Sequence, residues 1–161
     1  MSIFDNSLEP LKRMRRKARE RRLLATQNVK DSLARRLEGD QEAFDHSPVS
    51  FSPNPAQHSV GILLVHGFTG SPHSMRPLAQ RFMKLGYAVE MPLLTGHGTH
   101  WKDLRDSTYE QWLASAEQGY RRLADQGLRV VVVGMSMGGT VATHLSARLP
   151  VAGTVLINPY M

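Results

Sequence analysis

The feature that most constrains this chain is a run of four valines, Val130–Val133, that leads directly into the pattern Gly-x-Ser-x-Gly. Four consecutive valines predict a β-strand that is buried on both faces, as in a parallel sheet. Gly134, Ser136 and Gly138 form the pattern, and a helical pattern follows from Thr140. A serine between a strand and a helix, with glycines on both sides, predicts a sharp turn that exposes the hydroxyl. We therefore predict that Ser136 is a nucleophile; the alternative is a tight turn that merely contains a serine.

A second buried strand, residues 60–65, ends in the glycine-rich turn His66–Gly70. Attack on a carbonyl group creates a negatively charged oxygen, which two backbone N–H groups at separate points of the chain stabilise. One donor ordinarily follows the nucleophile, here Met137, and the other lies in a glycine-rich turn, here at Phe68. The sequence therefore predicts an oxyanion hole made from two turns about 70 residues apart. The remaining residues of the predicted site support these turns: His66, Gly67, Gly70, Gly134 and Gly138.

Taken together, these motifs resemble those of the α/β-hydrolases, and more narrowly of bacterial carboxylesterases and monoacylglycerol lipases. The resemblance covers roughly residues 48–161 and rests on five segments: His66-Gly-Phe-Thr-Gly-Ser-Pro72, Leu85-Gly-Tyr87, Gly96-His-Gly98, Trp112 and Gly134-Met-Ser-Met-Gly-Gly139. It implies hydrolysis of a small-molecule acyl ester through an acyl-enzyme on Ser136. It also implies an oxyanion hole at Phe68 and Met137, and no cofactor.

Strands and helices alternate along residues 59–161, which predicts an α/β fold with a doubly wound, mostly parallel sheet. Residues 94–106 are expected to form a polar loop, and Ser74 is expected to cap the helix that follows it. The predicted elements are helices at 75–85, at about 109–124 after a capping box, and at 140–149, and strands at 87–93 and 153–157.

The acid and the base that a serine nucleophile needs are missing from the sequence after Ser136. In this fold they follow the serine in the order Asp or Glu, then His. No Asp or Glu follows Ser136, and the one later histidine, His144, lies eight residues on, about 12 Å along a helix. We therefore expect an N-terminal part of an α/β-hydrolase, incomplete at the C-terminal side of its sheet and inactive alone. The strand at 153–157 should then form an exposed edge.

Upstream residues offer alternatives that the spacing makes less favourable. A rearranged triad needs a base in hydrogen-bond contact with Ser136, and a metal site needs a ligand spacing that this sequence does not match. We therefore expect no metal site, and we interpret Ser71 and Ser74 as turn and cap residues. Two other functions remain open: hydrolysis of thioester, amide or carbon–carbon bonds on the same fold, and a non-catalytic binding chain. The candidates for base, acid and metal ligands are His66, His97, His100, Asp103 and Asp106.

The net charge is +6, and the basic residues are most concentrated at residues 12–22, which contain eight Lys or Arg and one Glu. We predict that residues 1–45 form a basic amphipathic helical extension, that 46–58 form a linker with an edge strand, and that 59–161 form the hydrolase part. The extension is interpreted first as a solvated or packed arm and second as a weak contact with an anionic membrane surface. Nucleic acid is not expected as a partner, because no aromatic residue beyond Phe4 accompanies the basic residues 12–22.

The composition also bears on where the protein works. The chain contains no cysteine, and its first residues lack the apolar segment of a signal peptide. We therefore expect a cytoplasmic protein.

Overall fold

The computed structural model describes residues 45–53 and 57–160. From Asp45 onward, the described residues belong to one compact unit. The predicted basic extension, apart from its last residue, and residues 54–56 of the predicted linker lie outside the described residues. The membrane contact predicted for the extension therefore stays a prediction.

Five strands form a single sheet in the part of the chain that the structure describes: β1 Val49–Phe51, β2 Val60–Val65, β3 Ala88–Met91, β4 Arg129–Met135 and β5 Gly153–Ile157. Their order across the sheet is β1-β3-β2-β4-β5. The pairs β2–β3, β2–β4 and β4–β5 are parallel, whereas β1 pairs with β3 in the antiparallel direction. The mostly parallel sheet predicted from the sequence is thus confirmed, and the predicted linker contributes an edge strand.

Helices cover both faces of this sheet, as a doubly wound fold requires. They are α1 Arg76–Lys84, α2 Trp101–Asp106, α3 Tyr109–Ala124 and α4 Met137–Arg148. Helices α3 and α4 bury residues such as Leu113 and Leu145 in one core, while α1 packs residues such as Ala79 into a second core on the opposite face. None of the helices among residues 45–53 and 57–160 has the length and apolar character needed to cross a membrane.

Three details of the predicted helices are wrong. A 3-10 turn, Pro72–Met75, precedes α1, so Ser74 caps no helix and its hydroxyl instead donates to the carbonyl of Ser71. The predicted loop 94–106 contains α2, because reciprocal hydrogen bonds at its first turn offset its short length. Finally, α4 begins at Met137 rather than at Thr140, because the helix starts directly from the turn at Ser136.

A buried carboxylate connects three elements of the unit. Glu90 on β3 is 2% exposed and accepts a hydrogen bond from the Arg122 Nε on α3, over 2.8 Å. The hydroxyl of Ser50 on β1 donates to the other carboxylate oxygen. Because a buried charge is tolerated only when it is paired and hydrogen-bonded, these three side chains fix the edge strand and the helix to the sheet.

The outer strand β5 presents an exposed apolar edge. Within the described residues it pairs only with β4. Val155, Leu156 and Ile157 are 48%, 38% and 39% exposed, although side chains of this kind are ordinarily buried. The exposed edge predicted for residues 153–157 is therefore present.

Candidate active site

Ser136 forms the tip of the turn between β4 and α4. Its φ of 53° and ψ of −123° lie in a region that residues other than glycine rarely adopt. The backbone holds this conformation through three hydrogen bonds: the Ser136 N–H donates to Ile157, and its carbonyl accepts from Gly139 and Tyr160. The side chain does not cap α4, so the hydroxyl makes no hydrogen bond to the backbone N–H groups at the start of that helix.

Glycines surround Ser136 because backbone atoms occupy the space that side chains would need. A Cβ on Gly134 would lie 2.2 Å from the Gly138 carbonyl oxygen, and a Cβ on Gly138 would lie 2.2 Å from the carbonyl oxygen of Val65. Real Cβ atoms never approach so closely, and backbone atoms cannot move aside as flexible side chains do. The turn at Ser136 therefore packs directly on the end of β2.

The sheet register brings the two predicted turns together. β2 and β4 are parallel neighbours, with Val65 opposite Gly134, so the chain leaves both strands at the same edge of the sheet. A Cβ on Gly67 would lie 3.2 Å from the Ser136 Cβ and 3.7 Å from its hydroxyl oxygen. The glycine-rich turn after β2 thus lies against the Ser136 side chain, about 70 residues further along the chain.

The glycine-rich turn is compact and strained. The Gly70 N–H donates to the Gly67 carbonyl over 3.1 Å, which closes the turn around Phe68 and Thr69. Thr69 has a φ of 56°, an unfavourable angle for a β-branched residue. Phe68, the residue after Gly67, is 55% exposed, so much of its ring remains available for contact.

His66 is a structural residue rather than a base. It is fully buried, its Nδ1–H donates to the Gly67 carbonyl over 3.0 Å, and its Nε2 accepts from the Leu94 N–H over 3.1 Å. Desolvation by burial lowers the pKa of His66 to about 4, although the hydrogen bond to Gly67 opposes the shift. A neutral ring whose two nitrogens both bind backbone groups cannot take a proton from Ser136.

His97 likewise makes no hydrogen bond to Ser136 in the described part of the chain. Its Nδ1–H donates to the Thr95 carbonyl, and burial lowers the pKa of its ring. Its Nε2 is buried without a hydrogen-bond partner in the described part of the chain. The ring packs instead against those of Phe68 and Trp112, with centroids 6.1 and 5.4 Å away.

The other upstream candidates and His144 have local partners of their own. His144 Nδ1 lies 3.1 Å from the Tyr109 hydroxyl. At the start of α2, the Asp103 carboxylate accepts from the His100 N–H, and the His100 ring accepts from a backbone N–H of the first turn. Asp106 forms an ion pair with Arg105. The geometry therefore does not support the rearranged triad considered from the sequence. No group of three or more metal-ligating side chains suited to a metal ion occurs among the residues that the structure describes.

One contact at this site has no signal in the local sequence. The Ser71 hydroxyl lies 2.7 Å from Nδ1 of His46, which is 25 residues upstream in the predicted linker. Neither residue belongs to a recognisable motif, because their proximity depends on the path of the chain before β1. Sequence reasoning placed Ser71 in a turn, which the structure confirms, but it did not find this partner.

The fold and the two apposed turns define a hydrolase scaffold. The profile of the alpha/beta hydrolase family matches residues 62–161, and the chain belongs to that family.

Relatives with named activities share this segment. A thermostable monoacylglycerol lipase from Bacillus sp. (strain H-257) is 51% identical over 100 residues, which are 62% of this chain and 40% of the lipase. A carboxylesterase from Bacillus subtilis (strain 168) is 32% identical over 108 residues, 65% of this chain and 44% of the esterase. The chain spans less than half the length of these two relatives.

A solved structure agrees with the sequence relatives. A chain from the work on LipS and LipT, two metagenome-derived lipolytic enzymes, superposes with a TM-score of 0.66 and 36% identity. The match covers 71% of this chain and 46% of that one. The expected membership of the α/β-hydrolases is thus confirmed by sequence and by fold.

Proposed function

We propose that this chain carries the nucleophile and the oxyanion hole of a serine hydrolase that acts on carboxylic esters through an acyl-enzyme on Ser136. The observation that carries the proposal is the strained backbone of Ser136 beside the turn His66–Gly70. A tight turn could reverse the chain with a glycine at this position at lower cost. A serine kept at an unfavourable φ, with its hydroxyl outside the helix cap, favours a chemical role over a purely structural or binding role.

The two N–H donors in this proposal belong to Phe68 and Met137. Met137 is the first residue of α4, where N–H groups have no partner within the helix and the helix dipole favours negative charge. Phe68 follows Gly67, the residue that faces the Ser136 side chain. An oxygen bound to the carbon under attack would lie between these two turns and accept from both.

Two observations favour an ester with an apolar acyl or alcohol group. The exposed ring of Phe68, one residue after Gly67, offers an apolar surface, and the Trp112 ring lies 5.9 Å from it between centroids. The relatives at 51% and 32% identity are named a monoacylglycerol lipase and a carboxylesterase. We extend the ester chemistry of those names to this chain as part of the proposal.

We propose that residues outside these 161 supply the base and the acid of the reaction. No carboxylate follows Ser136 in the sequence. Among the described residues, His66, His97 and His144 hydrogen-bond to groups other than the Ser136 hydroxyl. Without a base, a serine hydroxyl is a weak nucleophile at neutral pH.

The test is p-nitrophenyl ester hydrolysis by the protein expressed from its complete gene, beside its Ser136→Ala variant. Ser136→Ala should lower turnover by a factor on the order of 10⁶, because the alanine leaves no attacking oxygen. The unfolding temperature should stay near that of the wild type, since the hydroxyl makes no cap. Wild-type turnover in the variant would refute the proposal.

The same assay applied to residues 1–161 expressed alone tests the missing base. Their turnover should match that of their own Ser136→Ala variant, near background. Ordinary esterase rates that disappear on Ser136→Ala would place a base within these 161 residues and contradict this part of the proposal.

A further inference from the structure

The glycine-rich turn carries one of the two proposed N–H donors, and its strained backbone needs external support. Its first residue, His66, is fixed by two backbone hydrogen bonds, and the Phe68 ring packs on His97. Thr69, at a φ of 56°, is exposed and makes no side-chain hydrogen bond in the described part of the chain, and Gly70 has no side chain. The next residue able to anchor the turn is Ser71, which is 5% exposed.

His46 reaches this anchor from outside the turn. Its Nδ1 lies 2.7 Å from the Ser71 hydroxyl. On its other side it packs on Gly98, where a Cβ would lie 3.1 Å from the His46 Cβ. His46 therefore bridges the loop after β2 and the loop after β3, at the edge of the sheet where Ser136 lies.

The backbone around His46 is itself fixed by Arg76, the first residue of α1. One guanidinium nitrogen of Arg76 donates to the carbonyls of Asp45 and Ser47, each over 3.0 Å. The same nitrogen lies 2.9 Å from the Asp45 carboxylate. Since one cation binds the residues on both sides of His46, the histidine is held in place even though it precedes the first strand of the sheet.

We propose that His46 and Ser71 are positioning residues for the oxyanion hole: a strap, made of residues 45–47 and held by Arg76, fixes the C-terminal end of the turn that presents the Phe68 N–H. Its catalytic consequence rests on the function proposed above for Ser136. The strap does not touch the substrate. It limits the conformations of a strained turn whose donor must lie within a few tenths of an ångström of its proper place.

The first experiment measures amide hydrogen exchange of residues 67–71 in Ser71→Ala and His46→Ala, with the strands as internal reference. Exchange in this turn should rise about tenfold in both variants, while exchange in β2 and β4 stays unchanged. The double variant should be no faster than either single one, because each removes the same contact. Wild-type exchange in the turn, or an equal rise throughout the sheet, would overturn the proposal.

The second experiment uses ester kinetics on the protein expressed from its complete gene. Both variants should lower kcat about tenfold and leave KM nearly unchanged, because the donor acts on the transition state. Ser71→Thr and His46→Asn, which keep a hydroxyl and a nitrogen at these positions, should restore most of the rate. Ser146→Ala is the matched control: it deletes a hydroxyl on α4 that contacts Thr154, far from this turn along the sheet.

The outcomes of the two experiments separate the two proposals. Faster local exchange in a protein without ester hydrolysis would refute the proposed function and leave the strap in place. Unchanged kcat in the presence of faster exchange would show that the strap does not position the donor. An increase in KM alone would place His46 and Ser71 in substrate binding and would also overturn the proposal.

Discussion

The two turns that meet at the candidate site are held in different ways. The turn at Ser136 is fixed by backbone contacts: Gly134 packs on Gly138, the Ser136 carbonyl accepts from Gly139 and Tyr160, and the Ser136 N–H donates to Ile157. The turn His66–Gly70 depends on side chains and backbone groups from distant segments, among them Leu94, His97 and His46. The backbone contacts of the first turn persist when side chains change, whereas the second turn is only as stable as its side-chain partners.

Removing the proposed N–H donor of the turn at Ser136 should have the largest effect of the variants that test this comparison. Met137→Pro deletes the N–H at the first position of α4, where proline is tolerated by the helix. Turnover of p-nitrophenyl esters should fall on the order of 10²–10³, as for loss of one oxyanion donor.

Met137→Ala is the control for this variant, because it keeps the N–H and removes only the side chain. It should retain most of the wild-type kcat. Equal losses in both variants would show that the Met137 side chain, rather than its backbone donor, supports the reaction.

Crowding the same turn should affect stability more than any surface change. Gly138→Ala would place a Cβ 2.2 Å from the Val65 carbonyl oxygen, so the backbones of β2 and α4 have to separate. We expect a loss of about 3 kcal/mol in the free energy of unfolding, measured by urea denaturation. Gly153→Ala, whose Cβ would contact only Val131 at 3.9 Å, should change it by less than about 0.5 kcal/mol.

The second turn should respond to pH where the first does not. The pKa of buried His66 is lowered to about 4, while in the unfolded chain it is about 6.5. Between these values the unfolded state binds the extra proton, so stability falls as the pH drops from 6.5 toward 4. The contribution of His66 amounts to at most about 3 kcal/mol.

Urea denaturation at pH 7 and pH 4.5 measures this dependence. His66→Gln removes the titrating ring and should flatten the slope, even if its stability at pH 7 is lower. An unchanged slope would show that other groups, rather than His66, cause the loss of stability in acid.

The same contrast explains what the sequence could predict. The turn at Ser136 is encoded by neighbouring residues, so a five-residue pattern after four valines was enough to locate it. The parallel sheet followed from alternating patterns, and β5 was placed at its observed residues, 153–157. Local periodicity also placed α3, and Thr108 and Gln111 form the capping box at its start.

What the sequence did not predict depends on contacts between distant segments. α2 is short and is stabilised by its capping box, which the polar composition of residues 94–106 concealed. The contact between His46 and Ser71 arises only after β1 has paired with β3 and the chain before it has been placed. Residues 25 positions apart carry no common motif, so this support of the second turn became visible only in the structure.

The most direct test of the central claim is to identify the serine that reacts. The protein expressed from its complete gene is treated with a fluorophosphonate, digested with trypsin and analysed by tandem mass spectrometry. The adduct should lie on Ser136, in the peptide of residues 130–148, and Ser136→Ala should abolish labelling. An adduct on Ser71 or Ser74, which fall in a different tryptic peptide, or no adduct at all, would contradict the account.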